Sequence, residues 1–298
     1  MKKYLLPLTM LFSASIFAKK PIVNHNIELK DSLLWEISGK NLKQSSYLYG
    51  TMHIVCDANN LKKPKVTNAI KNTRQLYLEL DMDDPNMLKA FMASNAQGKK
   101  IKNIIDEDIR NSLLNYASDR FSMKKEQLEN SSLISIMGMF ASVAMPSCNT
   151  APTSIEQKLI EEFSKSKKEI LGLETVEQQM GFLKDSGLVD AKNLVKSFEY
   201  FDETKKVYKT MMLNYENEEI SSLFKILATP TEYASEADVE KMIENILIKR
   251  NKNWADKIPS IIAKQATFIG VGSGHLAGDI GVINLLREQG YTVQAVMN

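Results

Sequence analysis

Two of the three histidines in this 298-residue chain stand at the ends of similar apolar runs, YLYGTMH at 47–53 and FIGVGSGH at 268–275. Each run closes on G-x-x-H. A short apolar run that stops at glycine reads as a buried strand with a tight exit, which places His53 and His275 at strand ends. Two further runs, QLYLEL at 75–80 and EILGLE at 169–174, carry carboxylates at their exits, Glu79 and Glu174. In open α/β sheets the carboxyl ends of the strands form the crevice where ligands sit, so residues far apart in sequence can converge there. Two imidazoles and two carboxylates suit a divalent ion of borderline or moderately hard character, such as Zn²⁺ or Mn²⁺. Such an ion would polarise a carbonyl and acidify bound water. One glutamate could stay outside the ligand set and serve as general base.

A blander reading stands beside this one. A strand-end histidine is usually a hydrogen-bonded residue with no ligand, and Gly50, Gly272 and Gly274 can simply allow tight turns. Nothing in the chain has the spacing of H-E-x-x-H. Arg250 and Asn251 precede Trp254 on a helical stretch, and Arg250 could hold a substrate carboxylate or pair with a buried glutamate through its planar fork. Thr51, Ser273 and Tyr215 offer hydroxyls, but no G-x-S-x-G elbow accompanies them, which argues against a nucleophilic triad. The third histidine, His25, lies in a polar N-terminal stretch.

The elements that must position these groups follow from composition and pattern. Lys2 and Lys3, an apolar run from Tyr4 to Phe17 and Ala18 read as a secretory signal peptide over residues 1–18. Its removal leaves a 280-residue chain, 19–298, with 36 basic and 36 acidic residues, enough for one domain. That balance gives no reason to expect a nucleic-acid partner. No later stretch is long enough to span a bilayer, so no stable membrane insertion is expected after cleavage, in a periplasmic or secreted location. Cys56 and Cys148 are expected to form one disulfide in an exported chain; metal ligation by Cys56, three residues after His53, is the alternative.

SLLWEIS and SYLYG predict a hairpin, followed by a helix at 64–72 and a strand at 75–80. Helices are expected at 86–96, 106–117, 123–146 and 153–165, the last starting near Ser154 with Glu156 closing a cap. Met137, Met139 and Met145 read as core filling. Further helices are expected at 176–184, 191–216, 218–226 and 235–265. The chain ends with a strand at 267–272, a helix at 280–289 and a strand at 292–296. The alternation predicts an α/β fold with a mixed central sheet and a large helical middle region, inserted at about 86–165.

These residues resemble the TraB/GumN family, also called TraB/PrgY/GumN and related to the Tiki metalloproteases. The resemblance runs from about residue 30 to 298 and rests on YLYGTMH, LYLELD, GLETVEQQ at 172–179, RNKNW at 250–254 and GVGSGHLAGDIGVINLLREQGYTV at 270–293. It places the two G-x-x-H motifs on Gly50–His53 and Gly272–His275, the glutamates on Glu79 and Glu174, and the helical arginine on Arg250. It implies a Tiki/EreA-like fold and a divalent-metal hydrolase or peptidase using Mn²⁺ or Co²⁺, with Zn²⁺ as a further option. His53, His275, Glu79 and Glu174 would supply metal ligands, and Glu79, Glu174 and Arg250 the catalytic groups. The expected substrate is an exported or extracellular peptide. An ester or other small molecule, or peptide binding without catalysis, are the rival readings, and oligomeric state is not indicated.

Overall fold

A computed structural model describes residues 29–149 and 151–298. The expected signal peptide and His25 lie outside the described residues. Strands β1 (Leu34–Ser38) and β2 (Ser46–Thr51) form the antiparallel hairpin, with Leu34 opposite Tyr49 and Ile37 opposite Ser46. Helix α1 (Pro64–Asn72) starts on a proline, whose fixed φ and missing N–H suit the first helical turn. It leads to β3 (Gln75–Leu78), which ends just before Glu79.

The middle of the chain is helical, and two long helices expected from sequence are each broken. The 123–146 stretch forms α4 (Lys125–Leu128) and α5 (Leu133–Ala144), after α2 (Pro85–Gln97) and α3 (Glu107–Phe121). The first ends at Leu128 with Glu129 as its C-cap, and Ser132 caps the second, its hydroxyl accepting from the backbone N–H of Ser135 at 3.1 Å. Next come α6 (Ile155–Lys165), β4 (Glu169–Gly172) and α7 (Val176–Asp185). The 191–216 stretch forms α8 (Ala191–Glu199) and α9 (Phe201–Glu216), because Tyr200 leaves helical geometry at φ −101, ψ 38.

Helix α10 (Ile220–Leu227) then precedes a continuous helical rod made of α11 (Glu236–Met242), a π-helical turn (Ile243–Ile248) and α12 (Lys249–Ile262). Strand β5 (Thr267–Gly272), helix α13 (Val282–Glu288) and strand β6 (Thr292–Ala295) finish the fold.

The six strands form one mixed sheet in the order β4-β3-β5-β2-β1-β6. The first four run parallel, while β1 is antiparallel to both β2 and β6. The fold is therefore α/β with a mixed central sheet and a helical middle, as the sequence leads one to expect. Five consecutive residues of β5, Thr267 to Val271, are buried, the signature of a strand covered on both faces. Phe163 of α6 covers one of them, its ring 5.8 Å from that of Phe268. A second apolar cluster gathers α3, α5 and α8 away from the sheet, with Phe140 edge-on to Phe198 at 4.9 Å.

Parallel direction puts the C-terminal ends of β4, β3, β5 and β2 on one edge, and strand order sets the sequence of their exits: Glu174, Glu79, His275, His53. At roughly 4.8 Å per strand the row spans about 14 Å of backbone. Two backbone bonds beyond the strands, Leu173 N–H to Leu78 O at 2.8 Å and Glu174 N–H to Glu79 O at 3.0 Å, hold the two carboxylate exits together. Gly172 permits this closeness. A Cβ there would lie 2.6 Å from the Asp81 nitrogen and 3.1 Å from the Leu80 carbonyl carbon, both backbone atoms that cannot yield cheaply. Gly172→Ala should therefore cost about 1–3 kcal/mol in urea denaturation, in the range for overpacking; a neutral result would mean the two exits are not rigidly coupled.

Cys56 and Cys148 form a disulfide with Cα atoms 5.2 Å apart, which removes Cys56 as a metal ligand. Beside it Val55 and Thr153 exchange two backbone hydrogen bonds of 2.8 and 2.9 Å. Among the described residues no helix is long and apolar enough to cross a membrane.

Candidate functional site

Arg250 is the hub of the strand-exit row. Its side chain is 5% exposed, and its guanidinium lies between the two carboxylates. Nη2 donates to Glu79 Oε2 at 2.5 Å and to Glu174 Oε1 at 2.6 Å, and Nε donates to Glu174 Oε1 and Oε2 at 3.1 and 3.2 Å. Nη1 stands 3.2 Å from Nε2 of His275. The guanidinium also lies over the indole of Trp254, 4.6 Å from its centroid, and that indole packs on the His275 ring at 4.6 Å. A planar fork with several donors can engage two carboxylates and a ring nitrogen at once, which a lysine cannot do.

The π-helical turn just before α12 aims this arginine. A π turn widens the helix by one residue and changes the face its successors present, and such turns recur at functional sites. Asn245 within the turn donates to the Asp185 carbonyl at 3.3 Å and accepts from Lys249 Nζ at 2.8 Å. After the turn, Arg250, Asn251 and Trp254 are all buried. Asn251 places its Oδ1 2.6 Å from Nδ1 of His275 and donates from Nδ2 to the Ile280 carbonyl at 2.8 Å, fixing both the ring and the loop after it.

The charges are set by this packing. Burial works against the Glu79 anion, yet Arg250, aided by His53 and the Gly272 N–H at 2.8 Å, holds its carboxyl well below the usual range. At Glu174 burial wins over the same guanidinium, and its pKa is raised. Burial, with Arg250 beside it, pushes His275 down to about 3, so its imidazole is neutral. The two carboxylates thus differ in kind. Glu174 has Oε1 saturated by Arg250 and Gln179, whereas its Oε2 takes only the longer Nε contact. Glu79 has Oε2 on Arg250 and turns Oε1 toward His275 Nε2, 3.9 Å away.

His53 stands apart from this knot. Its Nδ1 is 2.8 Å from Oε1 of Glu156 on α6, and its side chain is 74% exposed while that of Glu156 is 6% exposed. The Glu156 carboxylate at this distance raises the histidine pKa, an effect moderated by the water around the exposed ring. Burial opposes the Glu156 charge, but His53 and the Ser154 hydroxyl, 2.7 Å from Oε2, keep its carboxyl low. Glu156 therefore does not close the cap of α6; that cap is Ser154, which accepts from Gln157 N–H at 3.2 Å.

The structure thus gathers Glu79, Glu174, Arg250 and His275 directly and sets His53 at the end of the row with a partner of its own. Among the described residues, no three His, Cys, Asp or Glu side chains converge closely enough to hold an ion as they stand. Tyr215, considered as a hydroxyl donor, gives its proton to the Gly50 carbonyl at 3.0 Å and supports the β2 exit. Glu156 and Gln179 were not foreseen as site residues. Gln179 donates to Glu79 Oε2 at 3.2 Å and to Glu174 Oε1 at 3.1 Å. Its one sequence signal is its place on the first turn and a half after Glu174.

The chain matches the profile of the TraB/PrgY/gumN family over residues 33–295. Among curated proteins it is similar to Metalloprotease TIKI1 of Xenopus tropicalis, 21% identical over 340 aligned positions, covering 96% of this chain and 66% of the relative. It is also similar to Metalloprotease TIKI2 of the same organism, 21% identical over 319 positions, covering 89% of this chain and 60% of the relative. The chain therefore spans less than two thirds of the length of these relatives. No solved structure gives a match. With the profile covering nearly every described residue, the chain belongs to the TraB/PrgY/gumN family.

Proposed function

We propose that this protein is a divalent-metal-dependent hydrolase of peptidase type, acting on a peptide outside the cytoplasm. The observation that carries the reading is the buried pair Glu79 and Glu174, one kept anionic and one raised in pKa, divided by a single arginine at the C-terminal edge of the four parallel strands. Similarity to proteins named metalloproteases supports the metal dependence. The disulfide supports an oxidising compartment.

The donor chemistry fits a divalent ion. Both strand-exit histidines have Nδ1 engaged by an oxygen, Asn251 Oδ1 or Glu156 Oε1, which leaves Nε2 as the atom able to coordinate. Glu79 Oε1 is an anionic oxygen beside one of them. His53, His275 and Glu79 would hold the ion, with Mn²⁺, Co²⁺ and Zn²⁺ all compatible with two imidazoles and a carboxylate. When bound, it would polarise the scissile carbonyl and acidify water. Nε2 of His275 serves either the ion or the Arg250 Nη1–H, so loading competes with that contact.

The chain's own groups supply the rest. Glu174 accepts a proton from the attacking water at Oε2, the less occupied oxygen, as the water oxygen bonds to the carbonyl carbon. That proton passes to the leaving nitrogen as the C–N bond breaks. Arg250 fixes the Glu174 plane, and Asn251 fixes the His275 ring. Helix α2, which starts six residues after Glu79 and buries none of its residues, exposes Leu88 and Met92, an apolar surface suited to an extended peptide.

Metal analysis of protein purified without a histidine tag tests the reading. One ion per chain is expected, lost in His53→Ala and in His275→Ala, together with chelator-sensitive cleavage of a peptide library read by product mass. Absence of any site-dependent stoichiometric ion would overturn it.

A further inference from the structure

We propose that Glu156 is the positioning residue of His53, and that the Cys56–Cys148 disulfide makes this positioning conditional on oxidation. The inference rests on the metal-hydrolase reading for its catalytic consequence but not for its geometry. Residues 52–56, which follow β2, and residues 148, 149 and 151–156, at the start of α6 and before it, are some 92 positions apart at the disulfide, yet they are tied four ways. The covalent bridge joins Cys56 to Cys148; Val55 and Thr153 exchange bonds of 2.8 and 2.9 Å; and Ile155 N–H donates to the Met52 carbonyl at 3.3 Å. His53 and Glu156 sit inside this strap.

The placement of Glu156 calls for a reason. A carboxylate with 6% side-chain exposure costs free energy to desolvate, and its nearest cationic group is a histidine open to water. Ser154 holds the second oxygen at 2.7 Å, so the carboxylate cannot turn away. What the arrangement achieves is to set a carboxylate oxygen 2.8 Å from Nδ1. The neighbouring exit uses the same device with unrelated parts, since Asn251 of α12 occupies Nδ1 of His275. The partner at one ring nitrogen decides which nitrogen is left to act, so two independent oxygen groups both present Nε2 at adjacent strand ends. Treatment with a small dithiol would place two electrons and two protons on the Cys56–Cys148 bond, giving two thiols and the cyclic disulfide of the reagent. The His53 loop would then be held to the strap by three backbone hydrogen bonds alone.

Proton–nitrogen correlation spectra of the imidazoles, recorded on the metal-free full chain in alkaline buffer, test the proposal. His53→Ala assigns the signal. In the wild type the His53 proton should reside on Nδ1. Glu156→Leu should move it to Nε2 and weaken titrated Mn²⁺ binding about 10- to 100-fold, the range for loss of a partner behind a metal ligand. Glu156→Gln, whose carbonyl can still accept from Nδ1, should rescue both readouts, which a packing role would not require. Dithiol treatment, or Cys56→Ser with Cys148→Ser, should reproduce the leucine pattern while the His275 signal stays in place as the control for folding.

If Glu156→Leu leaves the His53 proton on Nδ1 with His275 unchanged, the positioning role is wrong. If reduction leaves His53 unmoved, the redox dependence is wrong. A shifted proton in a chain whose wild type binds no ion would uphold the positioning role and overturn the metal reading.

Discussion

Replacing Arg250 with methionine should destabilise the protein by about 3–5 kcal/mol, the cost of leaving buried charge without its partner. The diagnostic part is the response to pH. In the wild type the Glu79 carboxyl is held below its unfolded value by Arg250, despite burial. Its contribution is therefore fully present above the unfolded carboxylate pKa and is lost as pH falls through the folded one. Without the guanidinium, burial dominates and the folded pKa rises above the unfolded one. The contribution is then present below the unfolded pKa and lost as pH rises through the folded pKa. Glu174, already raised in the wild type, behaves in this second way throughout. Urea denaturation should show the wild type weakening as pH falls below the unfolded carboxylate pKa, where the Glu79 contribution is lost, and Arg250→Met weakening on neutralisation more steeply than the wild type, in which Glu174 alone has that sign. Parallel profiles for the two proteins would mean that Arg250 is not what keeps Glu79 charged.

The two carboxylates should part company on mutation. Glu174→Gln should lower kcat by about 10²- to 10⁴-fold, the usual contribution of a general base, while the protein still takes up its ion. Glu79→Gln should lose the ion itself and activity with it, because an amide oxygen is a poor replacement for the anion facing His275 at 3.9 Å. Metal stoichiometry and kcat on a cleaved library peptide, measured on the same preparations, separate the roles. Ion loss in Glu174→Gln and ion retention in Glu79→Gln would exchange the assignments.

Much of this site was legible before any coordinates. Short apolar runs ending at Gly50, Leu78, Gly172 and Gly272 are buried parallel strands, so their exits share an edge by topology. Arg250 was legible as a partner for a buried glutamate or a substrate carboxylate because its planar fork suits either, and the structure shows the glutamates. Strand order was not readable, and it is strand order that puts His53 at the end of the row. Glu156 was hidden for a different reason: two residues after Ser154 it looks like part of a helix cap, and its reach to His53 depends on a strap closed by residues about 100 positions away. The breaks between Leu128 and Ser132 and at Tyr200 are hidden in the sequence because apolar spacing carries across both. A side-chain cap at one and a single backbone turn at the other leave little trace in hydrophobic period.

The position of β5 governs the order of assembly. It lies between β2 and β3, pairing Tyr47 with Phe268 and Gln75 with Thr267, so the two N-terminal strands are not neighbours and cannot form the sheet centre by themselves. Closing contacts across some 200 residues is entropically slow, and until it happens β2 and β3 each present an unpaired edge. Emerging residue by residue, the chain holds Glu79 and Glu174 long before it holds the strand that brings His275 beside them. The candidate site is consequently incomplete until β5 has been made, and its groups meet only after that strand has docked between β2 and β3.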